Sequence, residues 1–214
     1  MTPEVALAAV TLPSHRQRAL RRDAVPADDD GWELEASVQE PERFAAIFDR
    51  YFGQVHSYVA RRLGSDVADD LAAETFLIAF RQRARFDRRS GVVRAWLYGI
   101  ATNLIRRHRR DEVRAWRAAA KLPLPVPAAT HEDRVAAQVT AQGASPELAA
   151  ALAKLNAKDR EVLLLVALGQ LTYDEVAAAL GIAYGTVCSR LSRARRVVRA
   201  TMSDPVTNPA EDPA

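Results

Sequence analysis

An all-α fold of two helical domains joined by a flexible linker follows from three features of the sequence. Apolar residues recur at helical spacing, alanine, leucine and arginine greatly outnumber strand formers, and one proline-rich stretch separates two periodic segments. At 214 residues and 49% hydrophobic content, the chain can fill one or two small cores and still leave flexible ends.

Residues 1–40 read as a mostly disordered arm, because they combine Pro3, Pro13 and Pro26 with a basic stretch from His15 to Arg22 and an acidic run from Asp28 to Asp30, without sustained periodicity. The acidic triplet reads as a solvated turn rather than a metal site. Residues 41–118 form the expected first domain. Pro41 suits a first helical turn, and Phe44, Ile47, Phe48, Tyr51, Phe52, Val55, Tyr58 and Val59 follow as one broad apolar face. Gly64 ends this helix, Ser65 or Asp66 can cap the next, and Val67 to about Arg83 carries apolar groups on more than one side, as a helix with two neighbours does. Phe76 and Phe80 are expected in the core. A loop from Phe86 to Val93 precedes a helix from Trp96 to about Arg110, in which the spacing of Trp96, Ile100 and Leu104 makes Trp96 a buried anchor rather than a stacking platform.

The expected linker covers residues 119–145, where Pro123, Pro125, Pro127 and Gly143 stand among small residues. The second domain, 146–202, opens with Ser145 and Pro146 as an N-cap and first-position pair. It continues through Leu148, Leu152 and Leu155 and then through a helix from near Asn156 to Leu168, closed by Gly169. Residues 203–214, with Pro205, Pro209 and Pro213, read as a disordered tail.

The net charge of +3 conceals its distribution. No acidic residue occurs from Val176 to Ser203, whereas Arg190, Arg193, Arg195, Arg196 and Arg199 do; Arg106, Arg107, Arg109, Arg110, Arg114 and Arg117 form a second cluster. Two basic patches on helices point to a polyanion. The single Cys188 excludes an internal disulfide and fits a reducing compartment, so the cytoplasm is expected. The apolar run from Val5 to Val10 is too short to span a bilayer, and no membrane insertion is expected.

Thr172 to Glu175 has the form of a capping box at the start of a short helix, Tyr173 to Leu180. Ala177 allows close helix contact, Gly181 allows a sharp turn, and Ile182, Val187 and Leu191 supply the core between this helix and the next; this is helix-turn-helix spacing. At 100° per residue Val187, Leu191, Ala194 and Val198 share a buried stripe, leaving Cys188, Ser189, Ser192, Arg193, Arg196 and Arg199 outward. Arg193 is the leading base reader, because a guanidinium can bond O6 and N7 of guanine together, and Ser189 is second; Arg190, Arg195 and Arg196 suit phosphates.

The stretch from Gly185 to Arg195, GTVCSRLSRAR, closely resembles the recognition segment of sigma-70-type RNA polymerase factors of the extracytoplasmic-function (ECF) group. LNAKDREVLLL from Leu155 to Leu165 resembles the region 4 lead-in, DDLAAETF from Asp69 to Phe76 resembles region 2.2, and WLYGIATNLIRRHRR from Trp96 to Arg110 resembles region 2.4. The resemblance spans about residues 41–202 in the right order. It implies an alternative sigma factor that binds core RNA polymerase and directs initiation at promoters with −35 and −10 elements. Region 2.2 implies contact with the clamp coiled coil of the large polymerase subunit through Asp70, Glu74 and Asp69, and the polymerase flap is a further expected contact. For the −10 element, the resemblance implies the loop with Asp87, Arg88, Arg89 and Ser90, together with Asn103, Arg106, Arg107, Arg109 and Arg110. An anti-sigma factor is an expected partner, and no cofactor, metal or catalytic residue is expected.

The chain departs from the family at three positions. Ala73 replaces a common glutamine, Ala183 a common serine cap at a loss of about 0.5–2 kcal/mol, and Cys188 a common basic residue. The linker must also span elements about two duplex turns apart, on the order of 70 Å. Extended, it reaches roughly 85 Å, but as a free coil it averages only about 30 Å, so core polymerase is expected to hold it out. The rival readings are a helix-turn-helix regulator acting without core polymerase and a nuclease. Against the latter, His15, His56, His108 and His131 are scattered without metal-ligand spacing.

Overall fold

In the computed structural model the residues described are 27–88, 91–119 and 146–203. Every regular element among them is helical: α1 (Ala27–Ala36), α2 (Phe44–Leu63), α3 (Ala68–Gln82), α4 (Val93–Ala119), α5 (Pro146–Ala153), α6 (Ala157–Ala167), α7 (Tyr173–Leu180) and α8 (Tyr184–Ser203). Short 3-10 turns occupy Pro41–Arg43 and Arg83–Arg85. None of these helices is long and apolar enough to cross a membrane. Most of the expected arm, nearly all of the linker and the tail beyond 203 lie outside the described residues.

Residues 27–40 depart from the expected disordered arm, because α1 packs on α2 and α4. Leu34 is fully buried, and Asp30 is buried where it accepts a hydrogen bond from Tyr51 and pairs with Arg50. Asp30 therefore does not sit in a solvated turn. Arg43 donates from two nitrogens to Glu33 at 3.1 and 3.2 Å, and Arg83 donates to the Ser37 carbonyl at 3.0 Å. Ion pairs to distant residues hold this helix, so it needs little of the apolar periodicity that reveals a helix in sequence.

The first core lies among α2, α3 and α4. Phe44, Ile47, Tyr51, Val55, Tyr58 and Val59 form the buried face of α2, and Gly64 ends it at φ 93°, a conformation disfavoured for residues with a Cβ. Neither Ser65 nor Asp66 caps α3. Val67 occupies the N-cap without a side-chain bond, and the Ser65 hydroxyl turns to Asp66 at 3.3 Å. Phe76 is buried in this core and Phe80 packs against it. α4 begins earlier and runs further than its sequence spacing predicts, burying Val93, Leu97, Tyr98, Ala101, Leu104 and Ile105. These positions recur every three or four residues and rotate Trp96 and Ile100 to the edge. Trp96 is accordingly half-buried, packed against the core and against Phe86 with ring centroids 5.2 Å apart, an anchor at the core's edge rather than within it.

In the C-terminal half, Asn156 caps α6 by accepting from the Asp159 amide at 2.9 Å. Thr172 and Glu175 form the reciprocal capping box, at 3.2 and 2.7 Å. Gly181 takes the left-handed conformation at φ 62°, ψ 40° that reverses the chain between α7 and α8, and Val187, Leu191, Ala194 and Val198 are the buried stripe of α8. This half packs directly on the first. α7 crosses α4 so closely that a Cβ on Gly99 would lie 2.8 Å from the Ala179 carbonyl oxygen, and one on Gly169 would lie 2.9 Å from the Tyr98 ring. Arg94 bridges the halves, donating to the Gly169 carbonyl at 2.8 Å and to Glu175 at 3.3 Å.

Thr172→Ala is expected to lower stability by about 0.5–2 kcal/mol, read as a lower denaturant midpoint at unchanged slope. Gly99→Leu is expected to part α4 from α7 with helicity retained, read as an increased radius of gyration in solution scattering.

Candidate nucleic-acid interface

Glu161 on α6 is buried between two arginines of the first half. Arg62 donates to it at 2.7 Å and Arg106 at 3.0 Å, and Arg62 also donates to the Tyr58 hydroxyl at 2.6 Å. Burial alone would raise the Glu161 pKa, but the charges and hydrogen bonds of Arg62 and Arg106 outweigh it and hold the carboxyl below its ordinary value. Arg62 is itself buried, yet Tyr58 and Glu161 keep its pKa above the usual arginine value. Arg109 donates to the Arg62 carbonyl at 2.9 Å, and burial, together with the neighbouring charge of Arg62, pushes its pKa down to about 10. It remains charged at neutral pH, in a surplus of positive charge.

Asn103, Arg106, Arg109 and Arg110 of α4 line a cleft of about 730 Å³ with Lys158, Arg160 and Glu161 of the α6 helix and Arg190 of α8. Arg107 is exposed and pairs with Asp111 at 3.8 Å. Sequence-singled residues from both halves thus face one basic cleft. Arg160 is committed to structure, donating to the carbonyls of Leu152, Ala153 and Leu155.

On α8, Ser189 and Arg196 are exposed, Arg190 and Arg195 half-buried. Arg193 is half-exposed, and its guanidinium grips the buried Asp159 through two bonds of 3.1 and 3.2 Å. Burial would raise the Asp159 pKa, but the bonds from Arg193 and Asn156 bring it below the ordinary value. Sequence spacing put Arg193 outward and gave no sign of this bond, which joins residues 34 positions apart.

Of the loop residues, Asp87 and Arg88 are exposed, while Arg89 and Ser90 lie outside the described residues. Arg88 lies against α1: its Nε is 3.6 Å from Glu35, and its guanidinium is 5.8 Å from the Trp32 ring centre.

Asp69, Asp70 and Glu74 follow one another along α3. Asp69 and Asp70 are exposed, Glu74 is half-buried, and His56 bonds Asp69 at 2.9 Å. Beside them Phe48, Phe52 and Phe76 form an aromatic cluster with centroids 4.7–5.8 Å apart, and Phe48 and Leu77 are exposed. The spacing of α2 reads Phe48 as core; its partial exposure beside acidic groups makes a mixed apolar and acidic surface instead.

Residues 47–117 match the Sigma-70 region 2 family, and residues 145–197 match Sigma-70, region 4. The chain is 33% identical over 176 residues to the ECF RNA polymerase sigma factor SigC of Mycobacterium tuberculosis, covering 81% of this chain and 85% of that protein. It is 30% identical over 177 residues to SigW of Bacillus subtilis, an ECF RNA polymerase sigma factor, covering 77% and 91%. The fold is similar to that of CnrH, solved in complex with the cytosolic domain of CnrY, with a TM-score of 0.57 at 24% identity, covering 82% of this chain and 97% of that one. The chain belongs to the sigma-70 family of RNA polymerase sigma factors, within its ECF group.

Glu161 contributes to the union of the halves above the ordinary carboxylate range, and this contribution is lost as pH falls through its depressed pKa, below that range. Energy transfer between dyes on α3 and α8 is expected to fall over that acid interval, and Glu161→Gln is expected to lower it already at neutral pH.

Proposed function

We propose that this sigma factor binds core RNA polymerase through the α3 surface of Asp69, Asp70 and Glu74, reads the −10 element with residues 41–118 and the −35 element with residues 146–202. The observation that carries this reading is the presence of two basic helices, α4 and α8, the second acid-free and seated in a helix-turn-helix, in one chain of this family. Ser189, Arg190, Arg195 and Arg196 serve the −35 duplex. Arg193 joins them after leaving Asp159. Asp87, Arg88, Arg89, Ser90, Asn103, Arg106, Arg107, Arg109 and Arg110 serve the −10 strand, and the chain itself catalyses no reaction.

Arg190 and Arg110 line the same cleft, whereas their promoter elements lie on the order of 70 Å apart. Promoter reading therefore requires the halves to separate, with residues 119–145 spanning the distance. Core polymerase, through clamp and flap, is the partner that holds them apart, and an anti-sigma protein is a partner that keeps them from it. CnrH was solved with the CnrY cytosolic domain, and the sigma factor RpoE of Bartonella quintana with the anti-sigma factor NepR. The setting is the cytoplasm.

Reconstituted transcription tests the reading. Added to core polymerase, the protein is expected to start transcripts at specific promoters; specific duplex binding by the protein alone, without initiation at any genomic promoter, would identify a core-independent regulator. Arg193→Ala is expected to relax discrimination at one −35 base pair about tenfold, whereas Arg196→Ala weakens all promoters alike. Glu74→Arg is expected to reduce retention by core polymerase in a pull-down, with the circular dichroism spectrum unchanged.

A further inference from the structure

α1 lies wholly outside the segment matched by the region 2 family, yet it borders the loop assigned to the −10 element. Three observations set it there. Gly31 leaves room for the stem of Arg88: a Cβ at this position would lie 2.6 Å from Arg88 Cγ and 2.9 Å from Cδ. Glu35 approaches the Arg88 guanidinium at 3.6 Å. Trp32 carries that guanidinium over its ring at 5.8 Å and is still 53% exposed, more than any other large hydrophobic side chain among the described residues.

An exposed tryptophan on a loosely held helix would carry no argument, but α1 is held firmly. Leu34 is buried in the core, Asp30 is tied to Tyr51 and Arg50, and Glu33 to Arg43. The same pairs bear on the charge beside Trp32. Asp30, Glu33 and Glu35 each have an arginine partner, so these three carboxylates do not face an approaching phosphate uncompensated. α1 presents an indole face beside a guanidinium, the combination that suits a nucleobase followed by its phosphate.

We propose that α1 is an added wall of the −10 reading surface, on which Trp32 stacks against an unpaired base of the non-template strand while Arg88, steered by Gly31 and Glu35, contacts the adjoining phosphate. The proposal rests on the −10 assignment made above for the loop and α4. Base stacking tolerates any base, so Trp32 adds affinity for melted DNA at that position rather than a strict sequence requirement.

The test uses holoenzyme reconstituted from core polymerase and the full chain, with a single-stranded −10 non-template oligonucleotide carrying 2-aminopurine at successive positions. One position is expected to be quenched in the wild type and relieved in Trp32→Ala, with affinity falling by about fivefold to a hundredfold, the range for one base–aromatic stack. Trp32→Phe should restore most of the loss. Gly31→Ala, which displaces Arg88 without removing it, should also weaken binding. Duplex −35 binding and melting temperature should stay unchanged in Trp32→Ala. Unchanged or tighter oligonucleotide binding by Trp32→Ala overturns the proposal, the latter identifying α1 as a cover over the loop. Asn103→Ala and Arg110→Ala separate the two levels. If they weaken binding and Trp32→Ala does not, α1 alone is excluded; if neither they nor Trp32→Ala matter, the −10 assignment falls and the proposal with it.

Discussion

The arrangement of the described residues depends on one buried carboxylate. Glu161 sits where Arg62 and Arg106 converge, and through them α6 is bound to α2 and α4. A buried ion pair is not a free gain, because desolvating both partners offsets much of their attraction. Its effect lies in specificity: a buried Arg62 facing anything but a carboxylate is costly, so few other placements of the second half satisfy it. The Tyr58 hydroxyl and the Arg109 bond to the Arg62 carbonyl add to the polar enclosure, in which Arg62 Nε alone of that guanidinium is buried without a partner.

Around this point the contacts are of two kinds. α4 and α7 meet backbone to backbone at Gly99 and Ala179, where no side chain fits, whereas the cleft beside Glu161 is open and lined by cations. The first kind is short-ranged and lost with a small displacement. The second repels itself and resists closure. Attraction at Glu161 and along the α4–α7 contact is thus set against surplus positive charge in the cleft.

Sequence made the helices legible where burial is apolar and local. The α2 face, the stripe on α8 and the reciprocal cap of Thr172 and Glu175 follow from spacing alone, because the residues that satisfy one another lie within a turn or two. What stayed hidden was held by long-range polar ties. α1 is fixed by Asp30 and Glu33 to partners far along the chain, and acidic residues beside a proline read as unstructured. The depth of Trp96 is hidden for a related reason: two overlapping apolar series run along α4, and only its neighbours decide which one turns fully inward. The site was legible as a set of residue types. Its geometry was not, since nothing local in Arg193 announces a bond to Asp159, or in Asn103 that it faces Arg190 across a cleft.

The Arg193–Asp159 pair also bears on how binding responds to salt. An arginine that enters a DNA interface from free solution displaces a condensed cation from the duplex, and each such contact steepens the dependence of affinity on salt concentration. Arg193 arrives already neutralised by an internal counter-anion. Its transfer to DNA leaves Asp159 held by the Asn156 side chain and newly open to solvent, where it attracts a cation as the duplex loses one. The exchange nearly cancels in the ion count, so the recognition helix should show a shallower salt slope than its number of arginines indicates.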